Sequence, residues 1–440
     1  MRILDRAALA LLLISTRATR QTSRMSELHI IGQVASRLDV LIKATQKLVQ
    51  IRSPNPPGDT AAVARVATDL LSEIQGVHLS QYETAPGIIN LVARIESGKP
   101  GKRLVFNGHL DTYPICEHLP WTVPPLSGAV KDGRLYGRGV SDMKAGVAAI
   151  IVAAGILAEN LDLWSGEIVI TLAGDEESGG ILGSGWLLNN VDIVKGDAVV
   201  NADVGSPRIV RFGEKGTFWV DIKAEGVAGH SAHAHNGVNA IDRLRRALDI
   251  AQAVERIPFE SPLEVTDAIG TARSVSEAIS GEGESQTLQS ITFNVGAIQG
   301  GVSANLIPSE ASAKCDLRLP VGISTAEVEA FFHEQLDPLE GISWTVLQRY
   351  EPTWTSPSDR IVQSALAASK DVIGSTGLDS VVNMRVGGSD TRVFRLAGIP
   401  SVVVGCTPFG MGAEDEYVLV EELEQVAKIQ ALTAYNYLRE

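Results

Sequence analysis

Residues 103–143 read RLVFNGHLDTYPICEHLPWTVPPLSGAVKDGRLYGRGVSDM, and the rest of the chain is organised around them. The run Leu104–Phe106 is apolar and reads as a buried strand that stops at the turn-forming pair Asn107-Gly108. His109 and Asp111 follow, two residues apart on an extended segment, so their side chains point the same way into one pocket. A turn-rich stretch then ends in Gly137-Arg138-Gly139, with Asp142 after it and a helical pattern beyond. An imidazole with carboxylates at strand ends is the nitrogen and oxygen donor set of a zinc-type site. A second carboxylate beside the histidine would orient its ring.

At 440 residues the chain exceeds one compact core, and two domains are expected. Hydrophobic content of 45% and charged content of 20% are those of a globular protein. A net charge of −14 argues against a nucleic-acid partner, since no basic face stands out to neutralise phosphates. The acids are spread along the chain and form no interaction tail. Cys116, Cys315 and Cys406 are few and far apart, which fits a reducing, cytoplasmic setting better than a disulfide framework. Residues 1–24 differ: they hold a short apolar core, Ala7–Ile14, several arginines and one acid. That core is too short to span a bilayer. The segment reads as an extension from an upstream start, with Met25 opening the protein, or as a targeting peptide. No other segment has the pattern of a membrane span, so neither membrane nor nucleic acid is expected as a partner.

From Ser26 to Leu71 the pattern is helical, broken by SPNPPGD at 53–59. Strands are expected at Ile89–Ile95, Leu104–Phe106, Glu167–Ala173 and Ala198–Asp203, and a helix at Met143–Leu157. Strands alternating with helices, with acids at strand ends, predict a three-layer α/β catalytic domain over residues 25–213 and 349–440. Ligands of such sheets sit beyond the carboxyl ends of the strands. Between them the pattern changes to strands near 216–226, 290–298, 311–319 and 343–348, with a long amphipathic helix opening in GHSAHAHNGVNAIDRLRRALDIAQAV (229–254) and a helical stretch at Thr325–Leu336. This predicts an inserted α+β domain over 214–348. The polar, glycine-rich segment 270–287 reads as a surface loop.

His109, Asp142, Glu177 and Asp203 thus each fall at or just beyond a strand end, with Glu176 beside Glu177. Two adjacent glutamates can divide labour, one holding metal and the other acting as general base. At this point the sequence resembles the zinc-dependent family of aminoacylase, acetylornithine deacetylase, succinyl-diaminopimelate desuccinylase and glutamate carboxypeptidase. The motifs are GHLDTYP (108–114), GRGVSDMKAG (137–146), GDEESGG (174–180), NAD (201–203) and GHSAHAHNGVNAI (229–241). GGVSANLIPSEASAKCDLRLP (300–320), GGSDTRVFRLAGIPSVVVG (387–405) and GAEDEYVLVEEL (412–423) complete the set in family order.

The resemblance implies a hydrolase-like α/β domain interrupted by a smaller lid domain through which members commonly dimerise. It assigns His109 and Asp203 to a first metal, Asp142 as the bridge and Glu177 to a second metal. Asp111 would orient His109, Glu176 would be the general base, and His230 on the lid would polarise the scissile carbonyl. Asn305 would contact substrate. Arg318 stands either as a carboxylate anchor or as a structural arginine at a strand end, while His233 and His235 read as loop residues. One departure stands out. Where the family has a last histidine ligand, in a run like His-Ala-Pro-Asp-Glu-Tyr, this chain has Gly412, and no histidine follows His333. One tight ion is therefore expected, zinc with cobalt or manganese as substitutes. A second ion would be weak unless Glu414, Asp415 or Asp390 fills in.

The expected activity is hydrolysis of an N-acyl amino acid or similar small amide through a metal-activated water, of deacylase type. A dipeptidase or carboxypeptidase using the same site is the alternative. A non-catalytic small-molecule binding protein on this scaffold is the reading from another class.

Overall fold

The computed structural model describes residues 24–439, so all but the last residue of the 1–24 extension lies outside the described residues. The described chain divides into two compact units. The first runs to Val210 and takes in Ser358–Ser380 and the chain from Ala397 onward, and the second comprises Arg211–Pro357 with Val381–Leu396.

In the first unit six strands lie side by side: β1 (His78–Ala85), β2 (Ile88–Glu96), β3 (Arg103–His109), β4 (Glu167–Ala173), β5 (Ala198–Asn201) and β6 (Ser401–Val403). Their order is β1-β2-β4-β3-β5-β6. β4, β3, β5 and β6 are parallel, whereas β1 and β2 are antiparallel additions at one edge. The parallel strands are buried apart from Arg103 and Glu167 at the starts of β3 and β4, which is why they carry apolar runs rather than an alternating pattern. The chain leaves β3 for β4 on one side and then crosses back over β3 to β5. The carboxyl end of β3 is therefore a topological switch point, where such sheets bind ligands.

Helix α1 (Ala145–Ala158) connects β3 to β4 and is apolar on all sides. It packs against the helices Leu38–Val49 and Val420–Leu438. Its composition alone would allow a membrane span, but the segment Val140–Ala158 is almost wholly buried in the fold, as a core helix is.

β3 corrects one expectation. It does not stop at Asn107-Gly108 but continues to His109. Asn107 is satisfied inside the sheet: its amide donates to Thr171 Oγ1 and Ser184 Oγ, both at 3.0 Å, and its carbonyl accepts from Asn201 at 2.7 Å. Gly108 is required by packing, because a Cβ there would lie 2.8 Å from Met143 Cε. Polar and small residues here serve a buried ladder, not a turn.

The second unit holds a four-stranded antiparallel sheet ordered 292–300, 310–319, 216–225, 342–350. Its alternating strands bury Phe218, Val220, Ile222 and Leu317 with Leu244 and Phe332 of the helices Ala240–Ala251 and Thr325–Leu336. Both helices start at side-chain caps: Asn239 accepts from Ile241 and Asp242 amides, and Ser324 with Glu327 forms a capping box. The expected loop at 270–287 is instead mostly helix, Leu263–Ser280 followed by Glu284–Leu288. Val265, Ala268, Ile269, Ala272 and Val275 recur at helical spacing and are buried, while Gly270 faces open space and is tolerated.

Candidate metal centre and catalytic groups

Three donors converge beyond β3 and β5. Ligand atoms of His109, Asp142 and Asp203 all lie within 4.8 Å of one another, and all three residues are buried. They form the one such group of three or more His, Cys, Asp or Glu residues among the described residues. His109 ends β3, and Asp203 follows β5, where its amide donates to Asn201 Oδ1 at 2.7 Å. Asp142 lies in the turn ahead of α1, where φ −127° and ψ 91° depart from helical values and aim the carboxylate back at His109. The His109 ring is fixed at both nitrogens. Nδ1 lies 2.9 Å from the Asp111 carbonyl and 3.4 Å from its carboxylate, and Nε2 is 3.0 Å from Asp142 Oδ1. A proton on Nδ1 shared with Asp111 leaves the Nε2 lone pair for a cation.

Asp111 is a hub. Its carboxylate accepts from the backbone amides of Glu176 (3.2 Å) and Glu177 (3.0 Å) and from Asn55 Nδ2 (2.9 Å). Asn55 also reaches Asp175 at 3.3 Å and accepts from Ser178 Oγ at 2.6 Å. One buried acid thus locks the histidine to the turn bearing the two glutamates. Hydrogen bonds from His109 and Asn55 outweigh the burial of Asp111 and hold it below the usual carboxylate range.

The electrostatics are those of a cation site. Burial raises Glu177 well above the ordinary carboxylate range, and the charge of Asp142 adds to it. Glu177 Oε1 is sealed from solvent with no hydrogen-bond partner among the described residues. Burial disfavours a charged His109, yet the bonds to Asp111 and Asp142 prevail and raise it well above its ordinary value. Tyr113 shares the same space: burial and the charges of Glu177, Asp142, Glu176 and Asp203 push its phenol upward. Crowded carboxylates beside an imidazole, with an orphaned buried oxygen, fit a divalent ion that would neutralise them.

The loop 409–417 is held firmly. Arg138 Nη1 pairs with Glu416 Oε2 at 2.5 Å, and its Nη2 donates to the carbonyls of Gly412 and Ala413, each at 3.0 Å. Burial pushes Glu416 above its ordinary range despite the Arg138 charge. Asp415 is committed elsewhere, accepting from Thr122 N, Thr122 Oγ1 and Val123 N, and these bonds hold it low.

The remaining candidates lie in the second unit. His230 pairs with Leu306 across a short antiparallel bridge, and Ser231 N donates to the Asn305 carbonyl at 3.0 Å, which brings His230 and Asn305 together. His230 Nδ1 accepts from Ala232 N at 3.1 Å, leaving Nε2 to act. Arg318 bonds Asp316, at 2.9 and 3.0 Å, and Thr217 at 3.2 Å. Asp390 is buried in this unit. Sequence reasoning missed Asn55, Tyr113, Arg138, Ser141 and Glu416. Tyr113, Arg138, Ser141 and Glu416 lie inside the motifs that carry the resemblance and Asn55 in the Pro-rich loop, but sequence pattern assigned none of them a role.

The chain matches the model of peptidase family M20/M25/M40 over residues 105–436 and belongs to that family. It is accordingly a metallohydrolase of amide or peptide bonds, which sets aside the reading as a non-catalytic binding protein. It is 29% identical to a succinyl-diaminopimelate desuccinylase of Rhodospirillum centenum over 389 residues, 86% of this chain and 93% of that one. Among solved structures, an M20 metallo-carboxypeptidase of Sulfolobus solfataricus is similar with a TM-score of 0.74 at 20% identity, covering 91% of this chain and 99% of that one. A dinuclear metal-binding M20 peptidase of Bacillus subtilis is similar with a TM-score of 0.63 at 13% identity, covering 91% and 98%.

Proposed function

We propose that the protein is a deacylase that cleaves the amide bond of an N-acyl amino acid or a similar small amide. The convergence of His109, Asp142 and Asp203 beside the Glu176-Glu177 turn carries this reading. A bound divalent ion would supply the Lewis acid that polarises a carbonyl and makes water acidic enough to react near neutrality. The chain supplies the proton transfers: Glu176 takes a proton from the attacking water and returns it to the leaving nitrogen. Asp111 holds His109 in its donor tautomer and keeps the glutamate turn in register with it. His230, through Nε2, donates to the developing oxyanion, and Asn305 contacts substrate.

The desuccinylase relative favours an acyl amino acid as substrate, whereas the carboxypeptidase of the same fold favours a peptide, the second reading. A hydrolysis screen separates them, using N-acetyl, N-succinyl and longer N-acyl amino acids beside dipeptides, with zinc, cobalt or manganese added. Turnover of acyl amino acids that disappears with a chelator and returns with metal is the expected result. Cleavage of peptides alone would select the second reading, and activity surviving exhaustive chelation would contradict both.

We also infer one tight ion per subunit, held by His109, Asp142 and Asp203. Gly412 offers no donor side chain, and Asp415 is spent on Thr122 and Val123, which leaves Glu177 with little help in holding a second ion. Homodimerisation through the second unit is supported by its edge strand Thr292–Gly300, exposed along most of its length with Val295 and Ile298 uncovered. Charged substitutions there, such as Ile298→Lys, should yield monomers on gel filtration. Three free cysteines support a cytoplasmic setting, which cell fractionation tests.

A further inference from the structure

We propose that the buried pair Arg138–Glu416 is a positioning device for Asp142, setting the affinity of the metal centre from outside its donor set. The inference rests on His109, Asp142 and Asp203 being a metal site. Asp142 sits in a turn whose backbone leaves helical geometry at Asp142 and Met143, closed by Lys144 N donating to the Gly139 carbonyl at 2.9 Å, and its carboxylate meets His109 Nε2 at 3.0 Å. The side chain that anchors the turn from outside is Glu416. Its Oε1 accepts from both the backbone amide and the hydroxyl of Ser141, at 3.0 and 2.8 Å, one residue before Asp142. Its backbone carbonyl accepts from Gly137 N at 2.9 Å at the other end of the turn. Glu416 is in turn held by Arg138, which lies within the same turn, donates to the Gly412 and Ala413 carbonyls, and lies over the Trp121 ring at 5.2 Å.

The turn and the loop 412–416 are therefore clamped at three points around one ion pair, with Arg138, Ser141 and Glu416 all nearly inaccessible to solvent. The charge pair as such adds little stability, since apolar residues of similar volume commonly replace a buried ion pair without loss. What stability is at stake lies in its bonds to Ser141 and to the Gly412 and Ala413 carbonyls. Orientation is what the pair supplies: an apolar pair offers Ser141 no acceptor, so the backbone carrying Asp142 loses its anchor one residue before the carboxylate.

The test compares metal affinity with apo-protein stability, neither of which reads turnover. Zinc affinity is measured by competition with a chromophoric chelator, and melting is followed after metal removal. The double substitution Arg138→Met with Glu416→Leu should lower apo melting, because Ser141 and the Gly412 and Ala413 carbonyls lose buried partners. It should also weaken zinc binding of the folded protein by about tenfold or more, the usual effect of losing support behind a ligand. Ser141→Ala keeps the ion pair, removes one of its two anchors on the turn and should weaken zinc about threefold with melting unchanged. Wild-type zinc affinity in a folded double variant overturns the proposal. If the double variant does not fold, Ser141→Ala decides alone: weaker zinc supports the device, and unchanged affinity overturns it. His109→Ala is the control for the site itself. Zinc bound as tightly by that variant as by wild type would remove the metal site, and the proposal with it, whereas its loss isolates any failure to the pair.

Discussion

The carboxyl end of β3 and the loop 409–417 are both rigidly framed, yet they differ in what the frame presents. At β3 the frame and the donors coincide: Asp111 and its amide partners hold a histidine whose Nε2 faces two carboxylates. At the loop the frame persists through Arg138 and Glu416, but the residue at its apex is Gly412, with φ +77° and no atom within 4 Å of where a Cβ would be. Framing by backbone carbonyls and a buried ion pair does not depend on the side chain at the apex. A loop of this kind can lose a donor without losing its shape.

That difference can be broken at its strong end. His109→Ala should abolish tight metal binding, because it removes the only nitrogen donor of the buried group, and metal analysis would read near zero. Glu176→Gln should lower turnover by about 100-fold or more while leaving metal content intact, the loss expected for a general base. Equal turnover in Glu176→Gln and wild type would mean that another group accepts the proton.

The weak end can be rebuilt. Gly412→His places an imidazole in open space on a loop already held by Arg138, and it should tighten a second ion by about tenfold or more. The positive φ costs roughly 1–3 kcal/mol for a non-glycine residue, so melting should fall by a few degrees. A variant that melts as expected but binds no second ion would place the loop out of reach of Glu177.

A smaller effect separates the charge balance of the second unit from the metal site. Burial pushes Lys215 down to about 7, with its Nζ donating to the Thr287 and Ser290 carbonyls at 2.6 and 2.7 Å. In the unfolded chain the same group titrates near 10.4. The unfolded state therefore binds more protons between these values, and stability rises with pH across that window. Lys215→Met should flatten the rise, seen as a smaller gain in melting temperature between pH 7 and about 10 than in wild type. An unchanged slope would mean that Lys215 is charged in the folded protein.

His109 and Asp203 were legible in the sequence because they end or follow apolar runs that read as buried strands, at Leu104–His109 and Ala198–Asp203. Asp142 was legible because it sits between a glycine-rich turn and an apolar helix. The frame was not, since its partners are remote: Asn55 and Asp111 are 56 positions apart, and Arg138 and Glu416 are 278 apart. Asn107 was misread because an amide in a strand looks like a turn until its cross-strand partners are known. The helix Leu263–Ser280 was hidden by its exposed polar face and Gly270, although its buried residues keep helical spacing from Val265 onward.

The most direct test of the two-ended metal site is the number of ions retained per subunit after gel filtration in metal-free buffer, starting from zinc-loaded protein. One ion per subunit is expected, held by His109, Asp142 and Asp203, with any second ion lost to the buffer. Two retained ions per subunit would contradict this, whether or not Glu414→Ala removes one of them.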